Sequence, residues 1–95
     1  MGRSGSLQRV ESPDLIVYTT GWCGDCRAAK NALDARGIAF REVDLDHEPG
    51  AAAHVESLNG GRRSVPTLVR GATAASLSRF SPAKLDAFLA SVGLR

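Results

Sequence analysis

The chain has 95 residues, 43% of them hydrophobic, which is room for one compact core and little more. Its formal net charge is only +2, so it lacks the strong basic footprint that nucleic-acid binding leaves. Met1 to Ser12 is rich in Gly, Ser and Arg with no apolar run, so neither a signal peptide nor a membrane span is expected there, and the expected location is cytoplasmic.

Residues 1-13 have no periodicity and read as a loose tail, leaving 14-95 as one domain. Leu15, Ile16, Val17, Tyr18 and Thr19 form a short apolar, β-branched run, the pattern of a strand buried on both faces. From Gly24 to about Arg36, Ala, Leu, Lys and Arg dominate, and Cys26, Ala29, Ala32 and Leu33 fall on one helical face that ends at Gly37. Ile38 to Leu45 reads as a second strand that slips phase midway, with Ile38 and Phe40 on one face and Val43 and Leu45 on the other. Pro49 and Asn59-Gly60 bracket a helix that turns Ala51, Val55 and Leu58 inward. After a loop at Gly61 to Ser64, Val65 to Val69 reads as a strand opened by a proline, and Ala75 to Arg79 as its hairpin partner. Ser81 as N-cap and Pro82 as first helical residue open a last helix whose Leu85, Phe88, Leu89 and Val92 form an apolar stripe ending at Gly93. A right-handed crossover makes the first two strands parallel, and the terminal hairpin adds antiparallel ones. The expected class is therefore α/β, a mixed four-stranded sheet with helices on both faces.

The only two cysteines, Cys23 and Cys26, lie where the first strand gives way to the first helix. One helical turn apart, they are close enough to form a small disulfide ring. As a structural staple such a ring constrains the unfolded chain weakly. A structural zinc site needs four ligands, and only His47 and His54 could join, without the usual spacing. An iron-sulfur cluster shared between two chains stays open, since each could supply thiolate.

A sulfur at the helix start sits at the positive end of the dipole, which can move a cysteine pKa from about 8.5 into the range of roughly 3.5 to 7.5. Cys23 is therefore the expected nucleophile. Cys26, on the apolar face, is favoured as a neutral thiol until a mixed disulfide forms beside it, which suits a resolving role. Asp25 favours the first helical turn, yet its charge near Cys23 disfavours a thiolate, with a modest net rise in the Cys23 pKa expected. Trp22 reads either as a lid on the site or as core packing. A cis proline at Val65-Pro66 would aim the preceding backbone groups at a bound substrate chain. Arg62 and Arg63 stand just before that turn, and Arg63 is a candidate to hold a ligand carboxylate or phosphate.

Tyr18-Thr19-Thr20-Gly21-Trp22-Cys23-Gly24-Asp25-Cys26, Val43-Asp44-Leu45-Asp46, Asn59-Gly60-Gly61 and Ser64-Val65-Pro66-Thr67, in this order and spacing, resemble the glutaredoxin family over about Leu15 to Val92. The Thr-Thr-x-Trp-Cys stretch and the Asn-Gly-Gly before Val-Pro are similar to mycoredoxins, relatives that use mycothiol. The resemblance implies a thioredoxin fold (βαβαββα), a cis Pro66, Cys23 as attacking thiol and Cys26 as resolving thiol. It implies thiol-disulfide oxidoreduction with a low-molecular-weight thiol as co-substrate, mycothiol rather than glutathione, no tightly bound cofactor, no metal, and a monomer. The implied partners are disulfide-containing or S-thiolated proteins. The alternatives are a thioredoxin-like electron donor reduced by a flavoprotein reductase and an iron-sulfur cluster carrier. The expected thiol-binding set is Trp22, Asp25, Arg63, Val65, Pro66 and Thr67. Glutathione-using members commonly carry a lysine three residues before the first cysteine, a tyrosine between the cysteines and Gly-Gly after the last strand. Here those places hold Thr20, Asp25 and Arg79-Phe80, which point away from glutathione.

Overall fold

The run of β-branched and apolar residues Leu15–Thr19 forms strand β1 in the computed structural model, which describes residues 14–94. The expected tail at 1-13 lies outside the described residues. Helix α1 spans Gly24–Ala35, strand β2 Arg41–Asp44, helix α2 Ala51–Leu58, strands β3 and β4 Thr67–Arg70 and Thr73–Ser76, and helix α3 Pro82–Ser91. The sheet order is β2-β1-β3-β4. β1 runs parallel to β2 and antiparallel to β3, and β3 pairs antiparallel with β4.

β1 is the inner strand that both layers use, because alternate side chains leave opposite faces of a strand. Leu15 and Val17 pack with Leu33 of α1, Leu68 of β3 and Leu85, Phe88 and Leu89 of α3. Ile16 and Tyr18 face the other way, toward Leu45 and toward Ala51 and Val55 of α2. Helices α1 and α3 thus cover one face and α2 the other, which is the thioredoxin fold expected from the sequence. Among the described residues no helix is long and apolar enough to cross a membrane.

Several boundaries shift from the expected ones, each for a local reason. β2 begins at Arg41 rather than Ile38. Ile38 and Phe40 precede the ladder and pack on the α1 and α3 side, whereas Val43 and Leu45 pack on the α2 side, which accounts for the phase slip. β3 begins at Thr67, not Val65, since Pro66 has no N–H to give to a ladder. β4 begins at Thr73, with only Gly71 and Ala72 between it and Arg70, because Gly71 turns the chain at φ 62 in a conformation glycine adopts freely. The hairpin is therefore tighter than expected and β4 ends at Ser76. Leu58, expected inward, is 37% exposed at the last turn of α2. The α3 boundaries agree with the sequence: the Ser81 side chain accepts the Lys84 N–H and Pro82 is the first helical residue.

Candidate active site

The turn after β1 delivers Cys23 to the N-cap of α1 with extended backbone, φ −92 and ψ 113. Its sulfur accepts the Cys26 N–H at 3.1 Å, the capping bond that a serine or aspartate oxygen commonly makes. The Cys23 carbonyl accepts the Arg27 N–H at 3.2 Å, and the Thr20 carbonyl accepts the Cys23 N–H at 3.4 Å, so the residue is held on both sides. Negative charge on this sulfur faces the unpaired N–H groups and the positive end of the helix dipole. Cys23 is half-buried. Cys26, one turn further on, is only 1% exposed, and both thiols are free. Burial, followed by the hydrogen bond to Cys23, pushes the Cys26 thiol up to about 12. The two sulfurs therefore differ in access and in hydrogen bonding, although they share one turn.

Opposite Cys23 lies the loop before β3. The Val65-Pro66 bond is cis, as expected, and the Cys23 thiol is directed at the Val65 carbonyl at 3.9 Å. This loop is tied from below. The buried Thr67 hydroxyl donates to the Ser64 carbonyl at 2.7 Å and accepts from the Asn59 side-chain amide at 3.1 Å, while that amide also donates to the Val55 carbonyl at 2.9 Å. Asn59, at the end of α2, thereby fixes the height of Val65 over the thiols. Thr67 is fully buried, and its hydroxyl bonds hold the loop in place.

Asp25 is engaged elsewhere than at Cys23. Its two carboxylate oxygens accept the Arg79 N–H at 2.9 Å and the Phe80 N–H at 3.3 Å, bridging the first turn of α1 to the loop between β4 and α3. Arg79 has φ 57, in the left-handed region, which turns its amide toward that carboxylate. The carbonyls of Ser78 and Arg79 are held from the other side by the Lys84 ammonium at 2.8 and 3.0 Å. Peptides 78-80 are thus bracketed between a carboxylate and an ammonium. The sequence assigned Asp25 to the thiol chemistry and gave no sign of this bond, because its partners are backbone groups 54 and 55 positions away.

The remaining candidates fall into two groups. Trp22 is 78% exposed beside Cys23, so of its two readings core packing is excluded. Arg63 is occupied by Glu56, with Nε and Nη2 both at 3.1 Å from the carboxylate, and Arg62 is the arginine that reaches a groove near the loop. That groove is lined by Asn59, Gly60, Arg62, Ser64, Ser76 and Ser78. Its three serine oxygens lie 2.5, 3.2 and 3.5 Å apart, and the sequence offers only the alternation of Ser76 and Ser78 as a hint of them. Thr20 is 7% exposed, so the place that holds a lysine in glutathione-using relatives offers a ligand neither charge nor access here. His47 pairs with Asp44 at 3.2 Å and His54 packs against Tyr18 at 5.7 Å; among the described residues no three His, Cys, Asp or Glu side chains are grouped to hold a metal ion.

A thioredoxin-fold protein with an accessible thiol and a buried thiol one turn apart, facing a cis proline loop, is of the redoxin class. Residues 15–73 match the family model described as Glutaredoxin, and the chain belongs to the glutaredoxin family, whose members are thiol-disulfide oxidoreductases. Over 54 residues it is 54% identical to a Mycobacterium tuberculosis protein named as a glutaredoxin, an alignment covering 57% of this chain and 64%, under two thirds, of that relative. It is 38% identical over 55 residues to mycoredoxin 1 of Corynebacterium glutamicum, covering 58% of this chain and 67% of that one. The structure of the Escherichia coli glutaredoxin-like protein NrdH-redoxin, described as having a thioredoxin-like activity profile, matches with a TM-score of 0.65 and 29% identity over 77% of this chain and 91% of that one.

Proposed function

We propose that this chain is a thiol-disulfide oxidoreductase that reduces protein disulfides, or mixed disulfides of proteins with a small thiol, through Cys23. The observation that carries the proposal is the asymmetry of the pair: Cys23 accessible at the helix N-cap, Cys26 buried with its thiol pushed up to about 12. The Cys23 thiolate attacks the small-thiol sulfur of a mixed disulfide. The S–S bond breaks, its electron pair leaves on the protein sulfur, which takes up a proton, and Cys23 is left bonded to the small thiol. A second small thiol, as thiolate, then attacks that adduct, forming the small-molecule disulfide and returning Cys23 as thiolate. On a protein disulfide, Cys23 attacks one sulfur and the other leaves as a thiol; Cys26 then loses its proton and attacks Cys23, releasing the second substrate sulfur as a thiol and leaving the Cys23–Cys26 disulfide, which two equivalents of the small thiol or a flavoprotein reductase reduce back to the dithiol. Two of the causes that raise Cys26 are its hydrogen bond with Cys23 and the Cys23 charge. Both are removed when Cys23 enters a mixed disulfide, so Cys26 becomes easier to ionise at the step that needs it.

A substrate chain is read as lying across Trp22 and the backbone of Val65, over Pro66, with Thr67 and Asp25 holding the two walls and Arg63 acting only through Glu56. The small thiol is read as mycothiol rather than glutathione. The likeness to mycoredoxin 1 supports this, as does the burial of Thr20 where a cation would meet a glutathione carboxylate. The test is NADPH consumption with one S-thiolated protein, supplied either with mycothiol and its reductase or with glutathione and its reductase. Faster turnover with mycothiol is expected, and equal or faster turnover with glutathione would overturn the choice. The likeness to NrdH-redoxin favours a second reading, an electron donor reduced directly by a flavoprotein reductase. Turnover with thioredoxin reductase and no small thiol would establish it in place of the first.

A further inference from the structure

The sheet order leaves β2 as an edge strand, and beside it on the α2 face lies a cavity of about 410 Å³, within the size range of small-molecule sites. Neither cysteine borders it. Arg41 and Val43 stand opposite Ile16 and Tyr18 of β1, so their side chains leave the sheet on the same face as the Tyr18 ring. Glu48, Pro49 and Gly50 before α2, with Ala51 and His54 on it, close the other side.

The polar groups around this cavity are left unused by the fold. Tyr18 is only 8% exposed, yet its hydroxyl makes no hydrogen bond among the described residues. Arg41 and Glu48 border the same space with opposite charges, and among the described residues neither forms an ion pair with the other or with a third group. Glu42 borders it too, but its carboxylate is taken by Lys30 and Thr19. Helix α2 starts from Gly50 without a side-chain cap, so the N–H groups of its first turn and the positive end of its dipole stand open at the cavity wall. An anion alone would meet Glu48 there. A cation alone would meet Arg41 and the helix start. A molecule that carries both charges gives each group its partner, and Val43, Pro49, Ala51 and the Tyr18 ring leave room for a short aliphatic body.

We propose that this cavity binds a free α-amino acid with a short aliphatic side chain, its carboxylate held by Arg41, the Tyr18 hydroxyl and the start of α2, and its ammonium by Glu48. The site is separate from the thiols and does not depend on their chemistry. The test is an NMR titration of the full-length reduced chain with three probes: L-valine, isovalerate, which lacks the ammonium, and isobutylamine, which lacks the carboxylate. L-valine is expected to shift the Val43, Ala51 and Ala52 amides along saturating curves, with each of the other two binding at least about tenfold more weakly. Arg41→Ala and Glu48→Gln change exposed side chains, so the fold is expected to persist while the affinity for L-valine falls about tenfold in each. Tyr18→Phe, which removes only the hydroxyl, is expected to lower it about threefold. The absence of saturating shifts with L-valine would overturn the site. Isovalerate or isobutylamine binding as tightly as L-valine would overturn the assignment of a ligand with both charges, as would wild-type affinity in both Arg41→Ala and Glu48→Gln.

Discussion

Cys23 and Cys26 carry the same side chain and acquire different chemistry from position alone. Cys23 receives an N–H at the open end of a helix, while Cys26 is buried beneath it. With its thiol pushed up to about 12, Cys26 holds fewer than about one thiolate in a thousand at pH 8. Brief alkylation at neutral pH, read by peptide mass, is therefore expected to label Cys23 and spare Cys26; equal labelling would contradict the burial argument. Asp25 was expected to act on Cys23 by charge, and its contacts add a second role as a brace for the β4–α3 loop. Asp25→Ala is expected to destabilise that loop locally by about 1 kcal/mol, seen as faster hydrogen exchange at the Arg79 and Phe80 amides. In Asp25→Asn, which keeps one acceptor oxygen, part of the protection is expected to remain. Loss of the charge is expected to speed Cys23 alkylation in Asp25→Tyr, so the two roles have separate readouts.

Among the elements, α1 is set against the sheet by side chains as well as by its apolar face. Glu42 of β2 accepts from Lys30 of α1 at 2.8 Å and from the Thr19 hydroxyl of β1 at 2.7 Å. Partial burial works against its carboxylate, and the hydrogen bonds from Lys30 and Thr19 outweigh it, leaving Glu42 below its ordinary value of 4.5. A carboxyl group held low in the folded state contributes stability that is fully present above its unfolded pKa and lost as pH falls through the folded one. Stability measured by urea unfolding is thus expected to drop below about pH 4.5, and Glu42→Gln is expected to shallow that drop. β1, α1 and α3 were legible in the sequence because each carries its own signal: a β-branched run, an apolar helical face, a Ser-Pro start. The ends of β2, β3 and β4 were not, since a ladder ends where its partner does and neither Pro66 nor Gly71 reveals that partner. The same limit hid the Asp25 bond and the serine cluster, which join residues distant in sequence.

At the scale of the molecule, the sheet order puts β1 between β2 and β3, so the helix that follows β1 starts beside the loop that precedes β3. Cys23 and Val65, 42 positions apart, meet for that reason. The motif and its spacing made the cysteine pair and the proline loop legible before any coordinates. The division of labour across the loop, with Thr67 and Asn59 holding it from below and Arg62 rather than Arg63 open to a ligand, needed the folded chain. The central claim is that Cys23 alone begins disulfide exchange and that Cys26 is dispensable when a small thiol completes the cycle. It is tested most directly by measuring turnover of one small-thiol mixed disulfide with Cys23→Ser and Cys26→Ser side by side. Cys23→Ser is expected to lose activity by at least about a thousandfold while Cys26→Ser stays within a few-fold of wild type; a Cys23→Ser protein as active as wild type would contradict the account.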